Sequence, residues 1–186
     1  MVRSSQRRFL LFSNYLNLFG FSLFAPLYAL FATGVGAKPQ LVGLSYAVNT
    51  LASAIMILTL GRLEDRVRNK RTLVVVGYFW LAAGAFSFLL VHTVSQLFVV
   101  QIFNAIGTGI LAPAWNAAFS HSQQKGREAS QWSLYDGGNL LATSAGAAVS
   151  GIVLATAGFR ATFALMGGIQ IIAAFLSMYL LSDNLR

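Results

Sequence analysis

Few side chains in this sequence could take part in chemistry, and most of them are neutral amides, hydroxyls and aromatic rings. The chain has two His, five acidic residues and no Cys, which excludes a disulfide framework, a thiolate metal site and a thiol nucleophile. The sequence contains no Ser/His/Asp grouping, no pair of carboxylates within an apolar stretch and no His spacing typical of metal ligands. We therefore expect neither an enzyme nor a protein that holds a metal or a cofactor.

Asp136 is the only acid inside any of the apolar stretches that are long enough to cross a bilayer. It lies about a turn and a half into its stretch, on the same helical face as Asn139 and Thr143. A carboxylate at membrane depth costs up to about 3 kcal/mol, so it should face water, pair with a cation or bind a proton. Two interpretations stay open: a proton-coupling site, and a structural ion pair with Arg127 or with a cation of the charged segment 61–71.

Polar and aromatic side chains also recur at helical spacing along four of the apolar stretches, namely the first, second, fourth and fifth. Residues three, four and seven positions apart share a helix face, so each of these stretches carries a polar stripe. Polar groups at membrane depth need partners, which favours a hydrated cavity for a small solute, with hydrogen bonding between helices as the alternative. The third and sixth stretches are nearly all apolar and are expected to face lipid or support the others. The candidate cavity residues are Asn14, Asn17, Tyr28, Asn49, Gln101, Asn104, Trp115 and Asn139.

The elements that must position these side chains are membrane-spanning helices. Of the 186 residues, 56% are hydrophobic and only 10% are charged, and the mean hydropathy is +0.67, which places the chain in a lipid bilayer. Six segments reach the length of about 20 residues that a spanning helix needs. They are 9–33, 41–60, 72–91, 96–119, 131–157 and 162–181. We therefore predict an all-α membrane protein whose residues 1–186 form one bundle of six transmembrane helices.

The distribution of the basic residues predicts the orientation of this bundle. The net charge is +8, and of the 13 Lys and Arg residues only Lys38 and Arg160 fall in the connections on one side of the membrane. Cytoplasmic loops carry an excess of Lys and Arg, so both termini are expected in the cytoplasm. The same rule accounts for the positive charge without a nucleic-acid partner. We expect a multi-pass protein of the plasma membrane, the inner membrane of a bacterium.

The densest group of charges lies in segment 61–71, between two apolar stretches that contain no charge. Its residues Gly61, Leu63, Asp65, Arg66, Lys70 and Arg71 resemble the loop between the second and third helices of major facilitator superfamily transporters, with the pattern G-x-L-x-D-R-x-G-R-[KR]. Arg68 and Asn69 depart from that pattern, since the family usually has Gly and Arg there. The resemblance implies that these six residues act as a conformational latch, which holds one arrangement of the transporter closed through charge and helix-dipole interactions.

The resemblance extends over the whole chain, but only to the N-terminal half of a twelve-helix transporter of that family. The segment 101–109 is similar to the fourth-helix pattern R-x-x-x-G-x-G-x-G, with Gln101 in place of the Arg. Gly146 and Gly151 resemble part of a fifth-helix pattern of drug/proton antiporters, and close helix packing is the simpler explanation for them. The resemblance implies a secondary transporter or transporter half that moves a small solute by alternating access, with proton-coupled efflux of a drug or metabolite as one form. A non-transporting membrane interaction or assembly protein that keeps this half-fold is the alternative.

Such a half would need a partner, either a C-terminal half that is missing here or a second copy in a parallel homodimer. The two halves of these transporters are parallel repeats, so a twofold pair of identical bundles is topologically permitted.

Overall fold

The computed structural model of the chain describes residues 2–64, 67 and 70–182, and it is helical throughout these ranges apart from short connections. No strand occurs in this part of the chain, so the all-α prediction is confirmed. The helices are α1 (Val2–Ser22), α2 (Tyr28–Gly34), α3 (Pro39–Glu64), α4 (Lys70–Ser87), α5 (Val94–Ser122) and α6 (Glu128–Ser182). Short 3₁₀ turns at Ala25–Leu27 and Phe88–Leu90 follow α1 and α4.

Within the described ranges, five helical stretches are long and apolar enough to cross a membrane. Pro26 lies in the 3₁₀ turn between α1 and α2, which together form the first of these stretches. Proline lacks a backbone N–H and cannot continue the hydrogen-bonding of the preceding helix, so the α-helix is interrupted at this point. The four later stretches are α3, α4 with its 3₁₀ turn, α5, and residues Glu128–Met178 of α6.

The long helix α6 is broken at Gly158, whose backbone has φ 75° and ψ 179°. A residue with a side chain would be strained in this left-handed region, whereas glycine adopts it readily. The sequence predicts a turn at this position, between the segments 131–157 and 162–181. The two halves of α6, residues 128–157 and 159–182, are therefore separate helical rods.

Contacts with α1 show that the chain reverses direction at this break. From the N-terminus of α1 to its C-terminus, the residue numbers of its contact partners increase in the first half of α6 and decrease in the second half. The pairs are Asn14 with Asn139 and Phe19 with Gly146 in the first half, and Gly20 with Ile169 in the second, followed by Phe24, just after α1, with Phe163. The first half thus runs parallel to α1 and the second half runs antiparallel to it.

Two buried clusters hold the helices together. One contains Tyr78, Trp115 and Phe119, with Leu10 and Leu11 of α1 packed against them. The other contains five phenylalanines, whose rings pack edge-on, tilted or stacked at centroid distances of 4.9 to 6.0 Å. These are Phe24, Phe31, Phe88, Phe159 and Phe163. Because lipid is as apolar as these rings, the gain comes from dispersion and ring geometry rather than from removal of water.

Candidate solute-binding cavity

A cavity of about 560 Å³ opens between the helices, with walls from α1, α3, α4, α5 and α6. Pockets for small molecules generally have volumes of about 300–1,000 Å³, so a small solute would fit. None of the described residues that line the cavity is charged. Its polar and aromatic lining includes Asn14, Asn17, Phe21, Phe24, Tyr28, Tyr46, Asn49, Thr50, Ser53, Phe88, Gln101, Asn104, Thr108, Trp115, Asn116, Tyr135 and Gln170.

The structure places every candidate cavity residue except Asn139 in this lining. Asn139 lies behind the wall, where its side-chain oxygen accepts a hydrogen bond of 2.8 Å from Nδ2 of Asn14. Helical geometry explains why α1 and α5 contribute so many of the others: Asn14 and Asn17 are three residues apart, as are Gln101 and Asn104. Each helix therefore turns one polar face toward the same space.

Hydrogen bonds to backbone carbonyls hold several of these side chains in place. Asn49 donates to the carbonyl of Gln101 over 2.9 Å and thereby joins α3 to α5. Asn104 donates to the carbonyl of Val100 one turn earlier, also over 2.9 Å. The indole N–H of Trp115 reaches the carbonyl of Leu10 over 3.3 Å and joins α5 to α1. The wall is thus fixed by bonds within and between helices.

Two residues of the lining have a buried amide oxygen without a hydrogen-bond partner among the described residues, namely Oδ1 of Asn17 and Oε1 of Gln170. Gln170 is only 3% exposed, and it belongs to the second half of α6. The sequence does not single out Gln170, because a single amide in an otherwise apolar stretch makes no stripe. Its only signal in the sequence is that it is the one long polar side chain of that stretch.

The third and sixth stretches, which the sequence predicts to face lipid or support the others, also contribute to the cavity wall. Leu81 and Ala85 of α4 line the cavity, as do Met166 and Gln170 of the second half of α6. Conversely, the first half of α6 contributes only Tyr135. The reason is that the wall of a cavity in a bilayer also needs apolar surface. Helices without a polar stripe supply this surface where they pack behind the gap between α1 and α5.

Asp136 does not line the cavity; its side chain is exposed on the first half of α6. The structure shows no ion pair between Asp136 and Arg127, both of which are exposed residues of the described part of the chain. The pair with Arg127 is therefore not formed in this bundle, and the pair with a cation of segment 61–71 stays a prediction, since Arg66 and Arg68 lie outside the described residues.

The latch segment is described only in part, since Asp65, Arg66, Arg68 and Asn69 lie outside the described residues. Leu63 is 56% exposed. Gly61 faces α5, where an added Cβ would lie 3.7 Å from Cβ of Pro113. Lys70 begins α4, and Arg71 beside it donates a hydrogen bond of 2.8 Å to Oε1 of Gln6. The start of α4 is thereby joined to the start of α1.

Gln131 forms a second junction on this end of the bundle, which the sequence does not predict. Its side-chain oxygen accepts hydrogen bonds from the Arg7 guanidinium and, over 3.0 Å, from the backbone N–H of Gln124. Its Nε2 donates to the carbonyls of Gln124 and Arg127 over 3.0 and 2.9 Å. A single buried amide thus joins α1, the connection between α5 and α6, and the first turn of α6.

Comparison with known proteins agrees with this architecture. An uncharacterized MFS-type transporter of Methanocaldococcus jannaschii is 24% identical to the chain over 171 residues, which are 92% of this chain and 44% of that protein. The chain therefore spans less than half the length of this relative. The family model described as Major Facilitator Superfamily matches residues 10–185. These similarities point to a transporter rather than to an enzyme. Because the family match covers nearly the whole chain, the chain belongs to the major facilitator superfamily.

Proposed function

We propose that this chain is one six-helix half of a secondary active transporter, which moves a small solute across the plasma membrane by alternating access. The observation that carries the proposal is the cavity, whose amides, hydroxyls and aromatic rings surround a space of about 560 Å³ inside a bundle of apolar helices. Polar groups are expensive at membrane depth and are retained where they serve a pathway or a binding site. The family of the chain supports transport as that purpose.

Six membrane crossings, with both termini in the cytoplasm, fit the shape of α6. A straight helix over the 51 residues of its apolar stretch would be about 77 Å long, whereas the hydrocarbon core is about 30 Å thick. The reversal at Gly158 divides it into two rods of spanning length. An even number of crossings then brings the termini to the same side, where the basic residues predict the cytoplasm.

The least buried helices indicate where a second bundle would pack. Only 6% of the apolar stretch of α3 is buried, against 33 to 44% for the other four stretches. Most residues of the first half of α6 are exposed as well. We propose that these two elements face a second bundle, either a C-terminal half or a second copy of this chain, with the solute bound between the bundles.

Proton-coupled efflux is the form of transport that we propose to test first. Asp136 is the only acid within the six spanning segments predicted from the sequence, and it lies on the exposed first half of α6. In a paired transporter this carboxylate would contact the second bundle. It could then bind a proton in one arrangement of the two bundles and release it in the other.

The experiment is solute flux into proteoliposomes that contain the purified chain. An equimolar mixture of neutral, anionic and cationic solutes is supplied, and uptake above that of empty liposomes is measured by mass spectrometry with and without an imposed pH gradient. Ala112→Trp should abolish uptake because residue 112 lines the cavity and an indole would fill it. Ala155→Trp is the matched control, since Ala155 is exposed on α6 away from the cavity.

The outcomes separate transport from an assembly role. Saturable uptake that Ala112→Trp abolishes and Ala155→Trp retains would support the proposal. A folded, dimeric chain that shows no uptake would contradict it and favour the non-transporting alternative, whereas a monomeric chain that shows no uptake would contradict only the second-copy version. Mass determination in mild detergent in parallel tests the second-copy version, which requires a dimer.

A further inference from the structure

The side-chain amides that line the cavity differ in how many of their hydrogen-bonding groups are free. Asn14, Asn49 and Asn104 each donate an N–H to another group of the protein, over 2.8 to 2.9 Å. Asn17 and Gln170 each have a fully enclosed oxygen without a partner, so only the nitrogen of these two amides can reach a solute. Each of these five amides therefore has one of its two polar atoms bonded or enclosed by the protein.

Gln101 of α5 is different from the other buried amides of the described lining. Only 6% of its surface is exposed. Its side-chain oxygen and nitrogen make no hydrogen bond within the described part of the chain, and neither belongs to the fully enclosed atoms that lack a partner. Because Gln101 lines the cavity, both atoms keep accessible surface there. Asn116, the remaining amide of the described lining, is an exposed residue.

The backbone of Gln101 is held in place. Its carbonyl accepts a hydrogen bond of 2.9 Å from Nδ2 of Asn49, which joins α5 to α3 at this level. Gln101 lies about two turns beyond the start of α5, and a capping box of Thr93 and Gln96 fixes that start. The free amide is thus presented to a solute from an ordered backbone, which lowers the entropy that is lost on binding.

A solute that displaces water from Gln101 must replace the hydrogen bonds of both amide atoms. A polar atom that is left without a partner in a buried site is costly, and displacement of a bound water loses affinity when the ligand does not reproduce its bonds. A glutamine amide has a donor and an acceptor side by side in one plane, so it pairs with a planar group that has the same arrangement, as when Gln binds the edge of adenine. A second amide group satisfies both atoms at once, whereas an ester or a carboxylate has acceptors only.

Aromatic rings lie beside this amide. The stretch of α3 that bonds to Gln101 also carries Tyr46, whose ring centroid lies 6.4 Å from that of Tyr28. The series continues from Tyr28 to Phe24 over 5.8 Å and from Phe24 to Phe88 over 4.9 Å. All four rings line the cavity, and no residue of the described lining is charged. An ionised group would therefore lack a counter-charge from this wall, whereas an aromatic ring would find apolar partners.

We propose that Gln101 determines the specificity of the cavity by pairing with the amide edge, a carbonyl beside an N–H, of an uncharged aromatic solute. The amide nitrogen of Gln101 donates to the carbonyl of the solute, and its amide oxygen accepts from the N–H of the solute. This inference rests on the proposed function for the assignment of the cavity as the solute site. It adds the class of solute and the residue that selects it.

Three matched probes test this class of solute in equilibrium dialysis against the full chain in lipid nanodiscs, with empty nanodiscs as the blank. Naphthamide has the amide edge, methyl naphthoate keeps only acceptors, and naphthoate carries a negative charge on the same rings. Naphthamide should bind the parent chain at least about 5-fold more tightly than either of the other probes. Gln101→Met keeps the length of the side chain and removes the amide. It should weaken naphthamide binding by about 5- to 30-fold and abolish the preference over methyl naphthoate.

Gln170→Met is the matched control, because Gln170 lines the same cavity and its amide oxygen is enclosed. Only its N–H groups can reach a solute, and they bond to the carbonyl of an amide or of an ester alike. This variant should therefore keep the preference for naphthamide. Binding of methyl naphthoate by Gln101→Met shows that the cavity is intact. If that binding is lost, Gln101→Asn, whose amide is withdrawn by one methylene, takes its place and should also abolish the preference.

An unchanged preference in the Gln101 variants would overturn the inference, and so would an equal loss of preference in Gln170→Met. Failure of naphthamide to bind the folded parent chain, or tighter binding of methyl naphthoate or naphthoate, would overturn it as well. The flux experiment separates the two proposals. Saturable uptake confined to solutes without an amide edge would overturn this inference alone, whereas a folded, dimeric chain without uptake would overturn the proposed function.

Discussion

Gly146→Ala is expected to force α1 and α6 apart and to destabilise the bundle. A Cβ at residue 146 would lie 2.9 Å from Cβ of Ser22 and 3.2 Å from the carbonyl carbon of Phe19, and closer still to the carbonyl oxygen of Phe19. Carbon atoms in ordinary contact are about 3.5–4.0 Å apart, so the helices must separate by about half an ångström or more. Because the Phe19 atoms belong to the backbone of α1, rotation of a side chain cannot relieve the clash.

The size of the effect follows from the cost of overpacking, which is about 1–3 kcal/mol in the free energy of unfolding. Gly151→Ala is the matched control, because Gly151 lies on the same helix half and a Cβ there would have no atom within 4 Å. At such an open helical position, Ala is favoured over Gly by about 0.5–1 kcal/mol. The same change of residue should thus lower stability at position 146 and leave it equal or higher at position 151.

The assay is unfolding of the purified chain by titration with SDS in mixed micelles, followed by helical circular dichroism. Gly146→Ala should unfold at a lower fraction of SDS than the parent chain, and Gly151→Ala at the same fraction or a higher one. If the two variants unfold together, α1 and α6 do not approach at Gly146, and the parallel packing of α1 with the first half of α6 is wrong.

Three further predictions concern single polar groups. Asn14→Ala and Asn139→Ala should show a coupling free energy of about 0.6 kcal/mol in a double-mutant cycle of SDS unfolding, as for other hydrogen bonds in membranes, and additive effects would contradict the 2.8 Å bond between them. Asp136→Asn should remove flux driven by a pH gradient while solute exchange persists, because an amide cannot carry a proton; unchanged driven flux would exclude a coupling role. Asp65→Asn, at a position outside the described residues, should impair flux and leave membrane insertion intact, and flux equal to that of the parent chain would argue against the latch.

The sequence was informative wherever a helix repeats the same feature on one face. Asn14 and Asn17, and likewise Gln101 and Asn104, could be assigned to shared faces because helical geometry depends only on the spacing of residues. The segment boundaries could be predicted for a related reason, since the length of an apolar run is set by the thickness of the bilayer. The turn at Gly158 also followed from local chemistry, because glycine accepts the left-handed backbone that separates the two halves of α6.

The helical periodicity of the sequence does not determine which neighbouring helix a given face contacts. The polar stripe that includes Asp136 and Thr143 is a real feature of the first half of α6, but both side chains are exposed outside the bundle rather than directed into its cavity. Gln170 is buried although the sequence gives no sign of it. A single amide forms no periodic pattern, and its burial depends on packing from other helices. Both outcomes depend on the rotation of a helix about its axis, which tertiary contacts determine.

The open edge of the cavity connects these exposed surfaces with function. Tyr46 of α3 is 62% exposed and still lines the cavity, so it lies where the cavity opens out of the bundle. Tyr135 lines the cavity from the first half of α6, the other poorly buried element. The two least buried elements are therefore the ones beside the opening. A second bundle packed against both would cover Asp136 and close the space in front of Gln170, so solute binding and the pairing of bundles would depend on the same surface.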